Sequence, residues 1–228
     1  MRILDSNPFS TSLDGTAETR SAATAKPKSI SKSQSAISNS FTEFGYDYFD
    51  SCEYPAYQGY EYDSRYALAA QSIAQLFNLQ PSAIIYEVGC AKGFLLVEFL
   101  KLGYQVCGLD YSSYAISNCH PLLSNFVCTG NASVDTHPLS KDCDLIISKE
   151  CLPHLEIADI QCALDLMYQQ VSNPFNIMLQ IQAIQSHSDA LNIRKFDPTH
   201  KTLLTQDEWT EFLTVSGFLG TVHFKNLF

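Results

Sequence analysis

Glu87, Gly89, Ala91, Gly93 and Asp110 are the residues whose types and spacing most clearly imply chemistry; they stand in E-V-G-C-A-K-G and, about twenty residues on, in G-L-D-Y-S. Glycines that follow an apolar run let backbone approach a ligand where a Cβ would block it. A carboxylate ending the next run can accept hydrogen bonds from both hydroxyls of a ribose. The pair therefore suits an adenosine-bearing ligand. The phosphate turn G-x-G-x-x-G is absent, since Ala91 stands between Gly89 and Gly93, and Glu87 would repel a pyrophosphate. A carboxylate there suits a ligand with a cationic amino-acid portion and no phosphate, as in S-adenosylmethionine. A nicotinamide-dependent oxidoreductase is the rival enzyme class, disfavoured by the same two features.

Such motifs work together only at the carboxyl ends of neighbouring strands in an open parallel sheet. Tyr66, Ala69, Ala70, Ile73, Ala74 and Phe77 recur at three-and-four spacing and predict a helix over Ser64 to Phe77. Beyond Pro81, short apolar runs alternate with helical stretches near Gly93 to Leu102, Ser113 to Asn118 and Ala158 to Val171. The runs are A-I-I-Y-E-V-G, Q-V-C-G-L-D, N-F-V-C-T-G, C-D-L-I-I-S and F-N-I-M-L-Q-I-Q. A last helix near Gln206 to Val215 begins with Thr205 and Glu208 placed as a capping box, and T-V-H-F-K-N-L follows as a final strand. Strands apolar on both faces and separated by helices imply an α/β fold with a doubly wound, mostly parallel sheet.

At 228 residues the chain has room for one such domain. Residues 1–40, rich in Ser, Thr, Ala and Lys without periodicity, read as a disordered extension, with a targeting segment as the alternative. Residues 41–228 are then the domain. Its opening segment, 41–66, crowds aromatic rings among acids, and these either clamp the segment onto the domain or line a pocket as a lid. The net charge is −10; residues 1–40 hold five of the 14 Lys/Arg and three of the 24 Asp/Glu, which leaves about −12 on the domain. That balance argues against nucleic acid as substrate. No run reaches the roughly 18 apolar residues of a membrane helix. Cys90, Cys107, Cys128 and Cys143 fall in or beside apolar runs and no C-x-x-C occurs, so buried thiols in a reducing cytoplasm are expected rather than disulfides or a metal site.

Taken in order, E-V-G-C-A-K-G, G-L-D-Y-S at 108–112, G-N-A at 130–132 and D-L-I-I-S-K-E-C-L-P-H-L at 144–155 resemble the successive motifs of class I S-adenosylmethionine-dependent methyltransferases of the small-molecule type. The resemblance spans about Tyr66 to Phe218 and implies a Rossmann-like methyltransferase fold. It places Glu87 and Gly89 around the methionine part of the cofactor, with Ala91 and Gly93 in the same loop, and Asp110 on the ribose. Tyr111 would lie against the adenine, Asn131 and Ala132 near its amino group, and Ser148 and Lys149 beside the methionine portion and methyl donor. Alanine at 91, where the family often has glycine, costs little if its φ is negative. The family's sheet usually ends in an antiparallel pair; residues after Phe218 suffice for one strand, so a shortened C-terminal edge is expected.

Methyl transfer needs alignment more than acid–base power, and a base only where the acceptor must lose a proton. His154, beginning the helix after the fourth strand, and His200, in a loop with no structural explanation from sequence, are the candidates to touch substrate or act as base. His223 reads as a half-buried strand residue and Trp209 as core, while Arg65 either reaches the cofactor carboxylate or lies exposed. The reading is methyl transfer to an O, N or C atom of a small-molecule acceptor, with no nucleic-acid or membrane partner. A catalytically silent cofactor-binding partner subunit is the alternative outside enzymes.

Overall fold

The computed structural model describes residues 1–9, 38–53, 57, 59–63 and 65–226. At its centre is β2 (Ile84–Val88), whose side chains alternate between two buried layers. Ile85 packs with Ile73, Leu96 and Phe99 on one face, while Tyr86 and Val88 pack with Ile160, Leu164 and Trp209 on the other. Burial on both faces is why the strand reads as an unbroken apolar run.

Parallel partners extend the sheet both ways: β3 (Gln105–Asp110) and β4 (Val127–Thr129) on one side, β5 (Leu145–Lys149), β6 (Ile177–Ala183) and β7 (Thr221–Asn226) on the other. Helices α3 (Arg65–Leu76) and α4 (Phe94–Lys101) cover one face; α6 (Ile157–Gln170) and α8 (Gln206–Val215) cover the other. Short helices α1 (Asn39–Thr42), α2 (Tyr46–Phe49), α5 (Ser113–Ser117) and α7 (Ala190–Phe196) lie in the connections. After β4 the chain crosses β2 to build β5 on its far side, so the strand order reverses there. That reversal opens a crevice beyond the carboxyl ends of β2 and β5, where open α/β sheets bind ligands.

The far edge of the sheet adds a strand that the sequence did not announce. Arg2–Ile3, within the segment read as an extension, forms β1, pairing in parallel with β7 at Thr221 and Val222. Arg2 N donates to Gly220 O at 2.9 Å, its guanidinium reaches Thr221 Oγ1, and Asn7 Oδ1 receives Gln180 Nε2 at 3.0 Å. A two-residue edge strand is held by backbone bonds and has no periodicity for composition to reveal. The rest of that segment, 10–37, lies outside the described residues. The C-terminal edge lacks the antiparallel pair, as expected: after Phe218 a single strand, β7, runs parallel to β6 over six register pairs and β1 caps it, giving seven parallel strands among the described residues.

The expected helices fall within a residue or two of the observed ones, and Thr205 with Glu208 does form the capping box of α8. Trp209 is fully buried core, and His223, more buried than expected at 7 % exposure, meets Gln180 Nε2 at 3.2 Å. Arg65 pairs with Asp63 at the surface.

Candidate active site

The glycine loop joins β2 to α4, and its two glycines take the left-handed conformation that glycine permits. Gly89 has φ +80°, and a Cβ there would sit 2.6 Å from Cys151 Cβ. Gly93, at φ +75°, is the N-cap of α4. Ala91 has φ +49°, so the condition under which alanine costs little here is not met. Left-handed alanine costs about 1–2 kcal/mol, whereas glycine there loses about 0.5–1 kcal/mol of unfolded-chain entropy. Ala91→Gly is therefore expected to raise stability by up to about 1 kcal/mol, read as a higher urea midpoint at unchanged m-value.

What holds Ala91 in place is Asp110 at the end of β3, whose Oδ2 accepts from Ala91 N at 2.7 Å and Oδ1 from Ser112 N at 2.8 Å. Burial pushes the Asp110 carboxyl up, and these two bonds oppose it. Glu87 lacks such help: Oε2 is buried with no hydrogen-bond partner among the described residues. Burial raises its pKa to about 8 against the pull of Lys149. Ser148 is also buried, and Asn131 Oδ1 accepts from Ser133 N and Oγ, both at 3.0 Å.

The aromatic segment both clamps and lines. Phe41, Tyr48 and Phe49 are buried against Ala115, and Ser112 Oγ donates to Phe44 O. Asp50 ties the strap down, accepting from Lys92 Nζ at 2.6 Å and Tyr114 OH at 2.6 Å. Between strap and strand ends lies a cavity of about 390 Å³. Its walls are Thr42, Phe44, Tyr48, Phe49 and Tyr57 of the strap, and Gly89, Ala91, Asp110, Tyr111, Asn131, Ala132 and Lys149 of the sheet. Glu150, His154, Pro198, Thr199 and Lys201 also line it. Residues 54–56, 58 and 64 of the aromatic segment lie outside the described residues. Thus Gly89, Ala91, Asp110, Tyr111, Asn131, Ala132, Lys149 and His154 converge on one space. Glu87, Gly93, Ser148 and His200 are placed outside its lining.

His200 has the structural explanation that its sequence lacked. It is 5 % exposed and sits behind His154, with ring centroids 4.5 Å apart. Its Nε2 meets Gln182 Oε1 and its Nδ1 lies 3.5 Å from Asp197 Oδ2. Gln182 Nε2 donates to Glu150 Oε2 at 3.0 Å. Burial raises Glu150, but Lys149 and Lys225 outweigh it and hold the carboxyl at about 2. His154 Nδ1 lies 2.9 Å from Thr199 Oγ1, and burial, reinforced by His200, lowers its pKa to about 4. Ligand-type atoms of His154, Asp197 and His200 fall within 4.8 Å of one another, where no metal-binding group was expected; Thr199 and Gln182 already hydrogen-bond them. Asp197, Thr199 and Gln182 were missed by sequence reasoning, with D-P-T, an aspartate before a proline-stiffened turn, the one signal for the first two; Tyr48 was covered only as part of the aromatic segment.

Comparison with known proteins bears on this geometry. The Methyltransferase domain family matches residues 85–173, from β2 to just past α6. No curated protein matches the sequence. Among solved structures, the Haloferax volcanii complex between the Trm112 methyltransferase activator and a methyltransferase superposes with TM-score 0.52 at 16 % identity, over 65 % of this chain and 66 % of that one. The YcgJ protein of Bacillus subtilis gives TM-score 0.50 at 16 % identity, over 64 % and 67 %. The match thus spans about two thirds of each structure's length. Residues 85–173 are a methyltransferase domain of the S-adenosylmethionine-dependent type, carried on a Rossmann-like parallel sheet.

Proposed function

We propose that the protein transfers a methyl group from S-adenosylmethionine to an O, N or C atom of a small-molecule acceptor bound beneath the aromatic strap. The observation that carries this reading is that one cavity of about 390 Å³ is bounded by the glycine loop and Asp110 and also by the strap rings and His154. Cofactor and reacting group would therefore share a wall.

The residues present fit the cofactor. Glu87, with an unpartnered buried oxygen behind the loop, would attract a cationic amino group, and Gly89 keeps the loop open where a side chain would collide with Cys151. Asp110 would use its remaining lone pairs on the ribose, Tyr111, Asn131 and Ala132 would flank the adenine, and Lys149 would meet the methionine carboxylate. Bound S-adenosylmethionine supplies an electrophilic methyl on a sulfonium. Phe44, Tyr48 and Tyr57 would exclude water and align the acceptor, which is most of what an in-line displacement needs.

A cavity of this size suits a metabolite, and about −12 on the domain disfavours a polyanion. Among the described residues no helix is long and apolar enough to cross a membrane. All eight cysteines are free, which suits a reducing compartment such as the cytoplasm. Calorimetric titration with S-adenosylmethionine, S-adenosylhomocysteine and NAD side by side tests the reading. Micromolar binding of the first two with none of the third is expected. Binding of NAD alone would overturn it in favour of an oxidoreductase, and silence toward all three would leave a protein that keeps the fold without the cofactor.

A further inference from the structure

We infer that Asp197 and Thr199 form with His154 a hydrogen-bonded relay that presents the lone pair of His154 Nε2 to the acceptor, which makes Asp197 and Thr199 positioning residues for a proton-accepting histidine. The inference rests on the methyl-transfer reading above.

The direction of the relay follows from what each atom can give. Asp197 Oδ1 accepts from Thr199 N at 2.9 Å and also from Thr199 Oγ1. A carboxylate oxygen has no proton to return, so the threonine's hydroxyl hydrogen is committed to it. His154 Nδ1, 2.9 Å from that same Oγ1, then faces a lone pair and must donate. The ring is thereby held in the Nδ1–H tautomer, and Nε2 keeps its lone pair. Among the described residues no side chain hydrogen-bonds Nε2, the Thr199 backbone lies near the ring, and His154 lines the cavity.

The far end of the relay is fastened from two elements. Tyr48 OH of the strap donates to Asp197 Oδ2 at 3.2 Å, and His200 stands 3.5 Å from the same oxygen, itself held by Gln182 and Glu150. Asp197 is 6 % exposed. A strap residue thus bears on the group that orients the base. Burial and the neighbouring His200 lower the ring's pKa, which keeps it neutral at physiological pH.

A base that weak is sufficient for one class of acceptor. As the acceptor atom's lone pair bonds the methyl carbon, its own O–H or N–H becomes strongly acidic. The electrons of that bond stay on the acceptor, the proton passes to Nε2, and sulfur retains the pair of the C–S bond it loses. Positive charge moves from sulfonium to imidazolium, and nothing else is consumed. The acceptor is therefore a hydroxyl or N–H compound, not a thioether or tertiary amine that is alkylated without proton loss.

Nitrogen-15 NMR on histidine-labelled, untagged full-length protein reads the tautomer without any acceptor, with His154 assigned by its loss in His154→Gln. The expected spectrum has His154 as Nδ1–H, unchanged from about pH 8 to about pH 5.5. Thr199→Val should release it to a mixed or Nε2–H form, and Thr199→Ser should keep it. An Nε2–H ring in the wild type overturns the relay whether or not a variant folds, as does an unaltered tautomer in folded Thr199→Val. Metalation of both histidines by added Zn²⁺ would likewise overturn it, assigning the three groups to a cation. These outcomes stand apart from the calorimetric test, which can fail or succeed on cofactor alone.

Discussion

Glu87→Gln is expected to make the cofactor-free protein more stable and its cofactor complex weaker. An ordinary glutamate ionises near pH 4.5, and buried Glu87 near 8. Between those values the folded protein holds a proton that the unfolded chain has lost, so each pH unit costs the fold about 1.4 kcal/mol. At pH 7 the accumulated cost is about 3 kcal/mol; below pH 4 it vanishes, and above 8 it stops growing. Glutamine removes the ionisation and keeps the shape. Urea melts should therefore show the variant and wild type alike at about pH 4, with the variant gaining steadily up to about pH 8. Parallel curves would contradict the burial of an unpartnered carboxyl. Titration with S-adenosylmethionine should show affinity about tenfold lower in the variant, the scale of a charge pair across partly screened protein. It should also show uptake of the cofactor by the wild type at pH 7 releasing close to one proton, because an ammonium group beside Glu87 restores its ionisation.

Asp110→Ala should differ in sign on the first count and agree on the second. Both oxygens of Asp110 accept backbone N–H bonds, from Ala91 and Ser112. Their loss frees a left-handed alanine and the start of α5, each charge-assisted bond being worth about 1.5–3 kcal/mol before the relief of a buried charge is subtracted. A net loss of about 1–2 kcal/mol in stability is expected. Cofactor affinity should fall by about 1.5–3 kcal/mol, roughly 10- to 100-fold, as ribose hydroxyls lose their acceptor. A folded Asp110→Ala variant with unchanged affinity would remove the ribose from this position. Two carboxyls on either side of one loop thus part company because one is hydrogen-bonded and the other is not.

Neither distinction is visible in the sequence. E-V-G-C-A-K-G marks a carboxylate, two glycines and a ligand loop, since glycine spacing and strand hydrophobicity are local properties. Whether Glu87 is partnered depends on β5 and on Lys149, some sixty residues away. The sign of φ at Ala91 was likewise undetermined, because it is imposed by Asp110 across two strands.

Local signals were enough for the sheet's central strands, the helices that cover it and the cap of α8, because periodicity and turn chemistry report burial and backbone conformation directly. The edge of the sheet was not legible. A two-residue strand at Arg2–Ile3 draws its stability from hydrogen bonds to β7, more than two hundred residues distant, and has no pattern of its own. The histidine site was half legible: His154 and His200 stood out by type, but their roles separate only when Thr199 and Asp197 come between them and Tyr48 arrives from the strap. Composition and spacing pointed to an adenosine-bearing, cationic cofactor beside a strand end. Tertiary structure alone decided which groups meet across that site, because hydrogen-bond direction and burial belong to pairs of residues and not to a stretch of chain.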